Sequence, residues 1–234
     1  MSRKPYSWLV VVGMISLCIG LSGCGKNVDT VAESTVPIEI GEHVMYGSYQ
    51  GEPVEWRVLD KKDGEILLLS EYGLDAQPFD TSGKSRVDWK DSTIRKWLND
   101  DFYNSAFSEK EKENIVESKS EGFEEYNTSM NLTGGGKPYA YLEREIEDKV
   151  FLLSNTELCA YFSEDPYPGC YSDPYAHKEL LCYPTAYAKQ QLETRYQTET
   201  CGWWLCNHVY EDDSVELVSA YGQGSGTSRE NIKA

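Results

Sequence analysis

The chain has 234 residues, 39 acidic side chains against 22 basic ones, and a formal net charge of −17. That balance excludes nucleic acid and anionic lipid headgroups as partners, because both would be repelled. The length suits one ordinary domain with a tether, enough to bury a core, and the 17 Tyr and 6 Trp favour a β-rich fold or a surface on which ligands stack.

In chain order, Ser2-Arg3-Lys4 is a short positive segment, and Trp8 to Leu21 is an apolar run without a charge. That order of regions reads as a secretory signal; the run is short of the about 20 apolar residues a membrane helix needs. The tetrad Leu21-Ser22-Gly23-Cys24 resembles the bacterial lipobox. The resemblance implies cleavage before Cys24 and diacylglycerol on its thiol, an anchor whose buried CH₂ groups each add about 0.8 kcal/mol of membrane affinity. Residues 1–23 are then a lipoprotein signal peptide, 24–37 a polar flexible tether, and 38–234 a single domain. The cut removes Arg3 and Lys4 and no acid, so the mature chain is more acidic still.

His43–Tyr49, Val54–Lys61 and Glu65–Tyr72 are β-branched and aromatic and read as strands, the last two joined at Lys62-Asp63-Gly64, a hairpin signal. Asp91-Ser92 opens a helix on which Ile94, Trp97 and Leu98 share one apolar face. Trp97 is expected to be a core anchor, with Arg95 and Lys96 turned to water. Phe102, Tyr103 and Phe107 form a further short turn. Ser108 to Glu111 is a capping box before another helix with Ile115 and Val116 as its apolar contact. Residues 117–145 read as a long loop and Lys149–Leu153 as a short buried strand. Ser154 with Glu157 is a second capping box, for a helix Asn155–Phe162. Residues 163–175 are loop, Thr185–Leu192 is helical, and Gly202–Leu205 and Val215–Tyr221 are the last strands. Strand runs mixed with separate helices predict an α+β fold: a mixed or antiparallel sheet with a few short helices.

An ordered set of strings carries a family resemblance. They are Glu55-Trp56-Arg57-Val58-Leu59, Ile94-Arg95-Lys96-Trp97-Leu98-Asn99 with Phe102, Lys149-Val150-Phe151-Leu152-Leu153-Ser154, Thr185-Ala186-Tyr187-Ala188 and Trp203-Trp204-Leu205. From Ile38 to Tyr221 the chain resembles an uncharacterised domain of Gram-positive surface and secreted proteins. The closing pattern implies a C-type-lectin-like fold by analogy alone. Two departures stand out. Cys206-Asn207 follows Trp-Trp-Leu where the family has Arg-Ser, and the stretch Gly222–Ser228 stands where the family's last strand is expected, which would leave a neighbouring strand with an open edge.

After Cys18 and Cys24, five cysteines remain: Cys159, Cys170, Cys182, Cys201 and Cys206. Disulfides among them are the favoured use outside the membrane. No Cys-x-x-Cys exists, and no metal site is assigned. If Gly202–Leu205 is extended, Cys201 and Cys206 lie about 16 Å apart at roughly 3.3 Å per residue, too far to bridge each other. His43, His177 and His208, the three histidines, stand in no nucleophile or zinc-hydrolase motif, so no catalytic residue is named. No cofactor is required. Calcium is the one a lectin-like fold would admit, on Glu164-Asp165 or Glu211-Asp212-Asp213, but neither run has loop-ligand spacing and both read as solvated turns. Trp203 and Trp204 point to opposite faces of a strand, so either one exposed would offer a ligand-stacking ring.

These residues describe a lipid-anchored protein on the extracytoplasmic face of the cell membrane, carrying a non-enzymatic domain that binds a glycan or protein ligand. The alternatives are an extracytoplasmic enzyme acting on envelope glycans through carboxylates that no motif marks, and a truncated, non-functional copy.

Overall fold

The computed structural model describes residues 9–11, 14–18, 38–84, 87–118, 147–162, 178–192, 199–209, 214–222 and 224–227. The expected tether, both acidic runs, Cys24, Cys170 and His177 lie outside them, as does nearly all of the loop expected over 117–145.

Two stretches of the N-terminal apolar run are strands, β1 (Leu9–Val11) and β2 (Met14–Cys18). The three strands expected from the sequence follow and form an antiparallel meander: β3 (His43–Tyr49), β4 (Glu52–Lys62) and β5 (Glu65–Ser70). Asp63 and Gly64 both adopt positive φ, 51° and 86°, the backbone that a tight two-residue hairpin requires. Gln50-Gly51 makes a second such turn, at 53° and 87°, without the Asn-Gly or Asp-Gly signature that would have announced it. Beyond β5 the chain breaks into β6 (Tyr72–Gly73) and β7 (Asp75–Gln77).

Ser92 caps α1 (Thr93–Trp97), accepting from the Arg95 N–H. The helix runs on through a π-helical turn at Leu98–Phe102 into α2 (Tyr103–Ala106). Ile94 and Leu98 are fully buried, whereas Trp97 is half-buried at the core's margin, its ring 5.6 Å from that of Phe102 and 6.4 Å from that of Tyr49. Arg95 does not point to water: its Nε donates to buried Asp148 at 2.8 Å. The capping box of Ser108 and Glu111 forms as expected at α3 (Glu109–Lys112), but Ile115 and Val116 are not helical. They make the short strand β8 (Ile115–Val116). β9 (Val150–Phe151) is followed by the second capping box, with Ser154 N–H donating to Glu157 and Glu157 N–H to Ser154 at the start of α4 (Asn155–Phe162). β10 (Tyr183–Pro184), α5 (Ala186–Gln191), β11 (Trp203–Val209), β12 (Ser214–Val218) and β13 (Gly224–Thr227) complete the order.

The result is α+β, as the pattern of elements predicts. One sheet has the order β3-β4-β5-β2-β8 with β9 also on β2; the other runs β13-β12-β11-β1-β7; β6 and β10 form a parallel pair. The open edge expected beside β12 is a correction. Four residues of the Gly/Ser-rich stretch pair with it, from Val215↔Thr227 to Val218↔Gly224, because glycine and serine backbones keep their ladder donors and acceptors even where no side chain packs.

The core is aromatic at its centre. The Phe107 ring lies 5.9 Å from Tyr46, 6.2 Å from Trp56, 6.0 Å from Phe102 and 5.9 Å from Tyr103. It closes onto a bulge in β3 at Gly47, whose φ is +71°. The Gly47 N–H donates to the Glu111 carboxylate and the Tyr46 hydroxyl to the Glu111 carbonyl, so the cap of α3 docks on the same bulge. Hydrogen bonds from the Ser108 side chain and from backbone N–H groups, outweighing partial burial, hold the Glu111 carboxyl below its ordinary range.

Candidate ligand-binding depression

The β4–β5 hairpin sets Arg57 opposite Leu69 and Trp56 opposite Ser70, and the β3–β4 hairpin sets His43 opposite Arg57. Glu71 follows at the end of β5. Arg57 holds it with two parallel bonds, Nε to Oε2 and Nη2 to Oε1, both 2.8 Å, the geometry in which Arg pairs best with a carboxylate. His43 Nδ1 lies 2.8 Å from Glu55 and its Nε2 3.7 Å from Glu71. The Arg57–Glu71 pair of this half-exposed charge network rims a depression of about 20 Å³ whose other wall is Glu179, Leu180, Leu181, Cys182 and Trp203.

At its floor is Ser70, 2% exposed, whose hydroxyl has no hydrogen-bond partner. An unpaired buried hydroxyl costs about 1–3 kcal/mol, and the side chain that carries this one is among those lining the depression. One residue beyond each wall, Tyr72 and Tyr183 are cross-strand partners in the β6–β10 pair, and both are exposed, at 41% and 48%. Exposed tyrosines on paired strands near a polar notch offer apolar faces and hydroxyl tips.

The stacking role expected of Trp203 and Trp204 is a correction. Both are buried, at 3% and 0%, with their indole N–H groups donating to the Leu180 and Gln77 carbonyls. Their alternation on β11 sends one ring toward each side, but structure covers both sides, so neither ring is an exposed stacking surface.

Among the cysteines, Cys182 and Cys201 face each other across an isolated antiparallel bridge, with the Cys201 N–H donating to the Cys182 carbonyl at 2.8 Å. Both are buried free thiols. The hydrogen-bonding Cys182 side chain and then burial push the Cys201 thiol far above the ordinary range. Cys206 lies within β11, its N–H bonded to the Leu153 carbonyl on the path from β9 to α4. The Cys159 backbone lies in α4, and His208 pairs with Val215 on the β11–β12 ladder. Among the described residues no three His, Cys, Asp or Glu side chains converge as a metal would need.

Several buried acids are engaged structurally. Asp80 binds Ser82 and the Thr93 N–H ahead of α1, Asp148 binds Trp89 and Arg95, and Asp75 accepts from the Tyr49 hydroxyl and the Ala76 N–H. Burial raises the Asp75 carboxyl above its ordinary range against the pull of those hydrogen bonds, and burial together with Asp75 raises the hydroxyls of Tyr49 and Tyr187. Sequence reasoning missed the depression because Ser70, Glu71 and Tyr72 look like the tail of a strand. The one available signal was the alternation of Glu55 and Arg57, which puts both on a single sheet face.

An antiparallel sheet, a mixed sheet and short helices, with a small polar notch at one hairpin end, define an α+β domain. By sequence, residues 63–234 match a family described as a domain of unknown function (DUF6273), and the chain belongs to that family. The match begins inside the β4–β5 hairpin rather than at Ile38, where the shared strings alone would have started it. No curated protein and no solved structure matches the chain.

Proposed function

We propose that this chain is an extracytoplasmic lipoprotein, anchored to the cell membrane through diacylglycerol on Cys24, whose domain is a non-enzymatic binding module for a glycan. Tyr72 and Tyr183, exposed on paired strands one residue beyond the walls of the depression, carry the binding half of this reading. A sugar ring lays its apolar face on tyrosine, while the Arg57–Glu71 pair supplies a fixed donor and acceptor at the rim. The anchoring half rests on the Leu-Ser-Gly-Cys tetrad after an uncharged run. The shared strings further support a C-type-lectin-like fold of the kind displayed by Gram-positive surface proteins.

Glycan-array screening of the purified protein, with and without calcium, tests the module. Tyr72→Ala with Tyr183→Ala is expected to abolish any signal while the melting midpoint stays within about 2 °C, since both rings are exposed; a glycan signal that survives the double change removes the site. The anchor is tested by fractionating cells that express Cys24→Ala. A variant that still matures at residue 24 and partitions with membranes would falsify lipidation.

A further inference from the structure

An internal strand of the first sheet, β2, is a piece of the same apolar run that the lipoprotein reading removes. On one side it pairs antiparallel with β5 from Met14↔Leu69 to Cys18↔Glu65. On the other it pairs antiparallel with β9 at Met14↔Phe151 and Ile15↔Val150, and with β8 at Ser16↔Val116 and Leu17↔Ile115. Cleavage before Cys24 therefore withdraws two strands bonded on both edges: β1, from between β11 and β7, and β2, whose loss leaves a slot between β5 and the β8–β9 wall.

That slot is held open from both sides by contacts that do not involve β2. The near wall, β5, is fixed in the β3–β4–β5 meander. The far wall is clamped by Asn99 on the π-helical turn: its Nδ2 donates to the Val150 carbonyl, and its Oδ1 accepts from the Lys149 and Val150 N–H groups. The Ser118–Asp148 bridge ties the two halves of that wall together, and Asp148 is itself bound by Trp89 and Arg95. Ile66, Leu68, Leu69, Ile115, Val150 and Phe151 line it, all buried with β2 in place. With the strand gone, two rows of backbone donors and acceptors and this apolar lining are left without partners, a state that strand edges do not tolerate well.

We propose that the slot is a strand-acceptor site, which in the mature lipoprotein takes an extended, uncharged, apolar segment of at least five residues from a different polypeptide. This rests on processing at Cys24. Both walls run antiparallel to β2, so only one strand direction satisfies both ladders, and the run seated there carries no charge between Trp8 and Leu21. A second processed copy cannot supply the segment, because it has lost the same residues; the donor is another protein, bound by β-strand addition.

The test uses mature lipoprotein, exported from the full gene product and reconstituted in nanodiscs, with a synthetic peptide of residues 9–18 bearing Cys18→Ser as the probe. Binding at a hundredfold excess over Kd is expected to raise the melting midpoint by about 5–10 °C. N-methylation of the peptide at Ile15 and Leu17 removes ladder donors without changing its apolarity and is expected to abolish the shift; Ile15→Lys in the peptide is expected to do the same. The uncleaved chain is expected not to bind, its slot being filled. A shift that survives N-methylation marks a greasy contact rather than a strand and overturns the proposal. So does mature protein that ignores the peptide, whether it is folded with the β5 edge already protected from hydrogen exchange or misfolded and not rescued. Mass spectrometry of the N-terminus separates the two readings. An intact N-terminus refutes processing and with it donation in trans, whereas a processed chain that ignores the peptide refutes the acceptor site alone.

Discussion

Gly47 is where the β3 bulge, the aromatic centre and the cap of α3 meet, and replacing it with alanine reads all three. A Cβ built there would lie 2.7 Å from the Ala106 carbonyl oxygen and 2.7 Å from two atoms of the Phe107 ring. The backbone sits at φ +71°, where a side chain costs about 1–2 kcal/mol. Relieving the overlap means moving backbone at Ala106 or tilting a ring that contacts four others, and overpacking of that kind costs about 1–3 kcal/mol. Gly47→Ala is therefore expected to lose about 2–5 kcal/mol from a total of about 5–15. Gly51→Ala is the matched control: its φ is +87°, but nothing lies within 4 Å of the new carbon, so only the backbone cost of about 1–2 kcal/mol remains. Urea melts of both variants and wild type measure the difference. Phe107 is stacked on Trp56, so the native tryptophan emission of Gly47→Ala is expected to shift as well, and that of Gly51→Ala to stay put. If the two variants melt together, the close docking of α2 and α3 on β3 is wrong.

Trp97→Ala is expected to cost about 2 kcal/mol, below the about 3–5 of a fully buried tryptophan, because its ring is half-buried against Tyr49 and Phe102; denaturant midpoints check this, and an unchanged midpoint would make the helix a surface feature. Cys182 and Cys201 are expected to be joined in protein exported to an oxidising compartment, since antiparallel partners lie about 4.5–5.5 Å apart between Cα atoms, inside the range a disulfide needs. The bond forms by loss of two thiol protons and two electrons to an extracytoplasmic thiol oxidant. The raised Cys201 thiol makes this slow in the folded state, so most oxidation is expected during folding. Non-reducing peptide mapping decides, and a Cys201–Cys206 peptide would contradict the strand that separates them.

The sequence alone determined whatever depends on neighbours a few residues away. Asp63-Gly64 demanded a tight hairpin because its turn needs two positive φ values. Ser108 with Glu111, and Ser154 with Glu157, marked helix starts because each pair satisfies orphan N–H groups locally. The mixture of strand runs and separate helices was enough for the α+β class. Burial was legible only where periodicity was strong, as at Ile94 and Leu98. Tertiary structure decided the rest. Trp203 and Trp204 alternate on a strand, but whether an alternate face meets water depends on what lies across it, and here both sides are covered. Arg95 turned inward because Asp148, far along the chain, stood buried and in need of a cation. The pairing of Cys182 with Cys201 and of Tyr72 with Tyr183 depends on long-range register, which no local pattern encodes. The same holds for the apolar run at the start of the chain. Its residues carry the composition of a signal, and only the edges left open on β5, β8 and β9 turn five of them into an internal strand, because unpaired ladder groups are satisfied by whichever extended segment reaches them.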